Sequence, residues 1–274
     1  MKLSLEGRYT VVTGASSGLG LEMARHIARD HKGNLVLVAR RRDRLEALAD
    51  ELRAQHKVDV ACVPADMTRR EDVQRAFDEA TAGRDVHGAI LNAGVTYFGP
   101  ALDLDYDAFE QMLATNVSSV VWLTQRFLKD MLPRRDGGVM IVSSLAGTVP
   151  TTYQAAYSGT KAFLNNFGVA VSEELRGTGV SLTVFVPGGI ATEMGEKSGT
   201  ARKFKRGDVG MMEADECARL AVRGFTARQR FVVPGALNQL NDLLMRFAPR
   251  AAAAAMTARL YRDALPAPDS GRAR

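Results

Sequence analysis

The chain has 274 residues, of which 46% are hydrophobic, 24% charged and 7% aromatic, a composition that excludes a disordered or fibrous protein. Two cysteines far apart, Cys62 and Cys217, exclude a disulfide scaffold and a cysteine-based zinc cluster, and His26, His31, His56 and His87 lack paired ligand spacing. The net charge of +5 belongs to the tail: from Arg228 onward there are eight Arg, three Asp and no Lys or Glu, so the preceding residues sum to zero and a DNA-binding body is disfavoured.

Seven short runs, apolar at nearly every position, predict strands over 9–13, 35–39, 58–63, 89–92, 139–143, 181–186 and 231–233. Such runs suit strands covered on both faces, as in a parallel sheet. Helical patterns lie between them, over 18–31, 41–56, 69–82, 105–132, 154–177 and 213–229. The alternation predicts a doubly wound α/β sheet of about seven strands in three layers, Rossmann-type, formed by residues 1–235. No internal repeat divides it. Within it, 190–212 holds four glycines and four cations between 202 and 206 without an apolar period, which reads as a substrate loop or lid. Residues 236–265 form a helical extension, with Leu237, Leu240, Leu243, Leu244 and Phe247 on one helical face and Pro249 interrupting it. Residues 266–274 read as a disordered tail. No run of about 18 apolar residues predicts a spanning helix, and the N-terminal sequence has no long apolar leader, so the expected compartment is the cytoplasm.

The first strand runs into Thr13-Gly14-Ala15-Ser16-Ser17-Gly18-Leu19-Gly20 and then a helix. Glycines at a strand-to-helix turn let the backbone approach a pyrophosphate, and the helix N-terminus supplies free N–H groups. A tight structural turn needs the same residues; the flanking strand and helix favour the dinucleotide reading. About 20 residues on, where a carboxylate would take a ribose 2′-hydroxyl, stand Arg40 and Arg41. A guanidinium attracts the 2′-phosphate of NADP, so both are expected to be phosphate ligands, with Arg40 in the lead; Arg42 and Arg44 read as a solvated helix start. Tyr157 and Lys161 are four apart on one helix. A cation beside a phenol favours phenolate, which is expected to lower the Tyr157 pKa and fit it for proton transfer. Ser144 follows the fifth strand, at the sheet edge where ligands bind in this architecture.

In this order and spacing the chain resembles the short-chain dehydrogenase/reductase family, single-domain type, over roughly residues 5–235. The resemblance rests on the Thr13–Gly20 loop, Asp66, Asn92-Ala93-Gly94, Asn116, Ser143-Ser144, Tyr157-x-x-x-Lys161 and Pro187-Gly188-Gly189-Ile190-Ala191-Thr192. It implies Tyr157 as general acid or base, Lys161 holding the nicotinamide ribose, Ser144 hydrogen-bonded to the substrate oxygen, and Asn116 binding a water of a proton relay. It implies NADP contacts from Gly14, Ser16, Ser17, Gly18, Leu19, Gly20, Asp66, Met67, Asn92, Ala93, Gly94, Pro187, Gly188, Ile190 and Thr192, with Tyr157 and Lys161. Asp66 also reads as a helix cap before Arg69, and Asn116 as a water-satisfied kink. Two departures stand out: Gly159, whose small size is expected to make room for cofactor or backbone, and Ser17, where some NADP-preferring members carry a basic residue.

Substrate residues are expected around the Asn-Ala-Gly turn, after Ser144, before Tyr157 and on the lid: Val95, Tyr97, Phe98, Leu145, Val149, Tyr153, Gln154, Gly189 and Met194. Their apolar character predicts a hydrophobic ketone, acyl chain or ring system. The leading expectation is an NADPH-dependent oxidoreductase, homodimeric or homotetrameric through the 105–132 and 154–177 helices, with no metal or nucleic acid. The rival is an NADP(H)-binding sensor that keeps the fold with little turnover. The tail could cap the cleft, build a subunit interface or lie on a membrane surface through its arginines; packing against the protein is the commoner fate of such a segment, and membrane contact is not favoured.

Overall fold

The first strand, β1 (Tyr9–Thr13), carries β-branched residues that suit a pleated, buried surface. The computed structural model describes residues 2–190, 193, 208 and 210–265. After β1, helices and strands alternate as α1 (Gly18–His31), β2 (Asn34–Ala39), α2 (Arg42–His56), β3 (Val60–Pro64), α3 (Arg70–Thr81), β4 (Val86–Leu91), α4 (Tyr106–Leu113), α5 (Ser119–Met131), β5 (Gly137–Val142), α6 (Ala155–Glu174) and β6 (Val180–Phe185). Two short strands, β7 (Gly189–Ile190) and β8 (Met211–Met212), precede α7 (Ala214–Thr226), β9 (Phe231–Val232), α8 (Ala236–Phe247) and α9 (Arg250–Arg262).

Seven strands form one sheet in the order β3-β2-β1-β4-β5-β6-β9, and every neighbouring pair is parallel. Successive side chains of a strand point to opposite faces, and the core divides accordingly. Val12, Leu35, Leu37, Ile90, Met140 and Phe185 pack against α1, α2 and α7. Val11, Val36, Val38, Ala89, Val139 and Ile141 pack against α3, α5 and α6. Burial on both faces is why the strands read as unbroken apolar runs. The order reverses between β1 and β4, and a ligand crevice opens at the carboxyl ends of strands at such a switch point.

The 105–132 stretch is not one helix. The helical hydrogen bonding shifts to a π-turn over Ala114–Ser118 before resuming in α5, and the Ser119 N–H donates to the Ala114 carbonyl. Thr115, Asn116 and Val117 have weaker helix propensity than their neighbours, and Asn116 is fully buried there. Away from the crevice, buried His26 joins α1 to α7 by bonds to Asp30 (2.7 Å) and Asp215 (3.0 Å). Among the described residues no helix is long and apolar enough to cross a membrane.

Candidate active site

At the end of β1 the chain turns through Gly14 (φ 68°) and Gly18 (φ 56°), in the left-handed region that favours glycine. A Cβ on Gly20 would lie 2.4 Å from the Gly14 carbonyl oxygen, so only glycine lets the first turn of α1 close on the loop. The loop is locked from β4. Thr13 Oγ1 accepts from the N–H groups of Asn92 (2.9 Å) and Ala93 (3.0 Å), and Asn92 Nδ2 donates to the Thr13 carbonyl (3.0 Å). Ser17 caps α1 by position but makes no side-chain cap bond, and the first turn holds no acidic residue. The free N–H groups and positive dipole end therefore suit an anion. This cradle fits the pyrophosphate of a dinucleotide.

The two arginines at the end of β2 part company. Arg40 is exposed and makes no ion pair among the described residues. Arg41 folds back onto the glycine loop: its Nη2 donates to Ser16 Oγ and Ser17 Oγ, both at 2.9 Å. A guanidinium thus stands at position 17, where the sequence lacks a basic residue. Glu193 bridges Arg44 (2.6 Å) and Arg41 (3.2 Å), and those two cations hold its carboxyl below the ordinary value. Nothing in the sequence pattern marked Glu193. Asp66 does not cap α3; the cap position is Arg69, and Asp66 Oδ1 instead accepts from the Thr68 N–H (3.0 Å) and hydroxyl (2.9 Å). Leu19 and Met67 are buried in the two cores.

The catalytic candidates converge beyond β5. Ser144 Oγ accepts from the Ala146 N–H at 3.1 Å, and a turn over Leu145–Gly147 follows. A Cβ on Gly147 would lie 2.5 Å from the Lys161 carbonyl carbon, so this glycine, overlooked in the sequence, lets the Ser144 turn press against α6. Lys161 is 4% exposed, and its Nζ donates to the Val142 carbonyl at 2.9 Å and stands 5.7 Å from the centre of the Tyr157 ring. Burial lowers its pKa to about 8.

The expectation for Tyr157 needs correction. Its pKa is not lowered but raised to about 12; loss of hydration dominates, a hydrogen bond with Ser144 pulls the other way, and Tyr261 adds to the rise. Lys161 does not offset this, because its ammonium is turned to the Val142 carbonyl and is itself starved of water. The phenol is therefore held as an acid.

Asn116 is not a kink left to water. Its Oδ1 accepts from the Val95 N–H (2.9 Å), while Nδ2 donates to the Val95 carbonyl (2.9 Å) and Thr160 Oγ1 (3.1 Å). It ties the irregular segment after Gly94 to α6 one residue before Lys161. Gly159 is exposed, and a Cβ there meets nothing within 4 Å, so it makes no room for anything. Among the described residues no group of three or more His, Cys, Asp or Glu could hold a metal ion.

The mouth of the crevice is built partly from the tail. Thr257 on α9 accepts from the Thr152 N–H (3.1 Å) and donates to the Pro150 carbonyl (3.2 Å), and Thr152 Oγ1 donates to the Ala254 carbonyl (2.8 Å). Tyr261 meets Phe98 edge to face, with ring centres 5.7 Å apart. Helix α9 thus packs against the segment before α6 and against Phe98. Tyr97 donates to the Pro100 carbonyl (3.0 Å), Gln154 is buried at the start of α6, and Tyr153 holds a positive φ of 66° while its carbonyl accepts from Gly99 (2.9 Å). Leu145 N–H donates to the Pro187 carbonyl (2.9 Å), and Gly188 packs against Asn238 of α8. Gly189 and Ile190 lie in β7, which pairs with β8. Thr192 and Met194 lie outside the described residues.

The sequence matches the family model for short chain dehydrogenase over residues 8–203. It is 30% identical over 192 residues to human very-long-chain 3-oxoacyl-CoA reductase, covering 69% of this chain and 61% of that protein. It is 31% identical over 210 residues to rat 17-beta-hydroxysteroid dehydrogenase type 3, covering 76% and 68%. The chain thus spans about six tenths of the length of the first curated relatives it matches. A short-chain dehydrogenase from Sphingobium yanoikuyae in complex with NADPH has a similar structure, with a TM-score of 0.78 at 27% identity over 89% of this chain and 97% of that one. Sequence match, strand order and the Ser144, Tyr157 and Lys161 geometry agree: this chain belongs to the short-chain dehydrogenase/reductase family.

Proposed function

We propose that the protein is an NADP(H)-dependent oxidoreductase acting on the C=O or CH–OH group of a largely hydrophobic substrate. The observation that carries this is half-buried Tyr157, close to Ser144 and set beside buried Lys161 at the crevice next to the glycine loop. When bound, the nicotinamide supplies or accepts the hydride. The protein handles the proton and the oxygen. Ser144 and Tyr157 both have hydroxyls to aim at a carbonyl oxygen, stabilising the charge that develops there. As the carbonyl carbon gains a hydride, the oxygen takes the Tyr157 proton. Tyr157 then regains a proton from solvent, with the Lys161 ammonium 5.7 Å from its ring centre. In oxidation these steps reverse.

The preference for NADP rests on Arg41 at the loop rim, with exposed Arg40 next to it in sequence. The substrate class rests on the apolar walls of Phe98, Leu145 and Tyr261, and on relatives named for 3-oxoacyl-CoA and hydroxysteroids. Exposed Phe163 and Val169 on α6 support a homodimer through that helix. Free thiols at Cys62 and Cys217 agree with a cytoplasmic setting. The test is a panel of ketones, 3-oxoacyl thioesters and steroids with NADPH and with NADH, and of the matching alcohols with NADP. Turnover with NADPH on apolar members is expected. Tight NADPH binding with no turnover on any member would instead favour the sensor.

A further inference from the structure

An amphipathic helix ordinarily turns its apolar stripe to the core. Helix α8 does the reverse. At about 100° per residue, Leu237, Leu240, Leu243, Leu244 and Phe247 fall within an arc of about 120°. The four leucines are 52–57% exposed and Phe247 is 82% exposed. The side turned inward is polar: Asn238 and Asp242 are 8% and 5% exposed. Asn238 Nδ2 donates to the Pro234 carbonyl (2.9 Å) and packs against Gly188; Asp242 takes both Nε (3.0 Å) and Nη2 (2.7 Å) of Arg246. Both polar side chains bond within their own segment, and Asn238 meets Gly188, so the polar side faces the body and the leucines face outward. Met256 and Leu260 of α9 add two more half-exposed apolar side chains.

The charge around this face selects its partner. Between residues 236 and 265 four arginines, Arg246, Arg250, Arg259 and Arg262, outnumber two aspartates, Asp242 and Asp263. Arg250, Arg259 and Arg262 are exposed and make no ion pair among the described residues. A second copy docked through the same face would bring like charge against like. A surface of apolar chains bearing anionic phosphates satisfies both features: leucines enter the acyl boundary while arginines meet headgroups. We propose that α8, with the arginines of α9, docks this protein peripherally on an anionic lipid surface. Helix α9 then lies at that surface, and an apolar substrate has a short path from lipid to site.

The test is co-sedimentation of the full chain with vesicles of phosphatidylcholine alone or with one quarter phosphatidylglycerol. Each exposed arginine is worth about fivefold near an anionic surface, so three give an expected preference of about 100-fold for the anionic vesicles, shrinking in high salt. Leu240→Glu with Leu244→Glu should lower binding at least about tenfold while thermal midpoint and circular dichroism stay those of the wild type. Should that variant fail to fold, Arg250→Glu with Arg259→Glu should abolish the anionic preference. Equal binding to both vesicles, or binding unchanged in the folded variants, overturns the proposal. So does light scattering in which the leucine variant halves the mass of the wild type, since the face would then join two copies. No readout depends on turnover, so the result stands apart from the catalytic reading.

Discussion

Replacing Lys161 by Met should make the folded protein more stable at neutral pH while removing activity. Burial brings the lysine from its ordinary 10.5 to about 8, which corresponds to about 3 kcal/mol at 1.36 kcal/mol per pH unit. The sign follows from proton counting. Below about pH 8 the lysine is charged in both states, and the folded state bears the whole cost of an ammonium out of water. Between about 8 and 10.5 the folded lysine is neutral while the unfolded one still binds a proton, so wild-type stability recovers as pH rises. Methionine fills much the same volume without charge, but leaves the Val142 carbonyl without its 2.9 Å donor, at about 1 kcal/mol. The net gain at pH 7 is therefore about 2 kcal/mol, and it should largely vanish by pH 10. Urea unfolding at both pH values, without nucleotide, measures it. A variant less stable than wild type at pH 7, or an advantage that persists undiminished at pH 10, would refute the burial argument.

The parallel sheet was legible because it is buried on both faces, which leaves unbroken apolar runs that no surface strand would tolerate. Boundaries moved by only one to three residues. The shared face of Tyr157 and Lys161 was legible from their spacing, since residues four apart on a helix lie together; their roles came only from the resemblance. The same geometry explains the error at Gly159: two residues from Tyr157, it points away from the crevice. The direction of the Tyr157 shift was not legible, because spacing shows a neighbouring cation but not how deeply both groups are buried. The sequence reading put Arg40 ahead of Arg41, but the two differ by where a long side chain swings, which spacing does not show. The apolar stripe of α8 was read correctly, but periodicity cannot say which side a helix turns inward. The burial of Asn238 and Asp242, with Asn238 against Gly188, shows that the polar side turns inward.

Tyr157→Phe should lower kcat for reduction by about 10²–10⁴-fold, the usual worth of a general acid, while NADPH affinity by fluorescence titration stays within about threefold; near-normal turnover would sink the proton assignment. Tyr261→Ala removes the ring that meets Phe98 and should cost up to about tenfold in kcat/KM for a bulky ketone, an aromatic pair being worth about 0.5–1.5 kcal/mol, with little change for a small one; equal effects on both would mean that α9 does not wall the pocket. The cofactor prediction separates the two arginines. Arg41 alone reaches Ser16 and Ser17, so Arg41→Ala should weaken NADPH by about 10- to 100-fold, as one charge-assisted hydrogen bond of about 1.5–3 kcal/mol implies. NADH has no 2′-phosphate and should lose little. Arg40→Ala should cost NADPH less, because an exposed cation is screened by solvent and salt. Removing Glu193 sharpens the contrast. Its carboxylate already engages Arg41 and Arg44, so an incoming phosphate must compete with it, and Glu193→Gln should tighten NADPH while leaving NADH unchanged. If Arg41→Ala weakens both nucleotides alike, the arginine only braces the glycine loop, and the 2′-phosphate is held elsewhere.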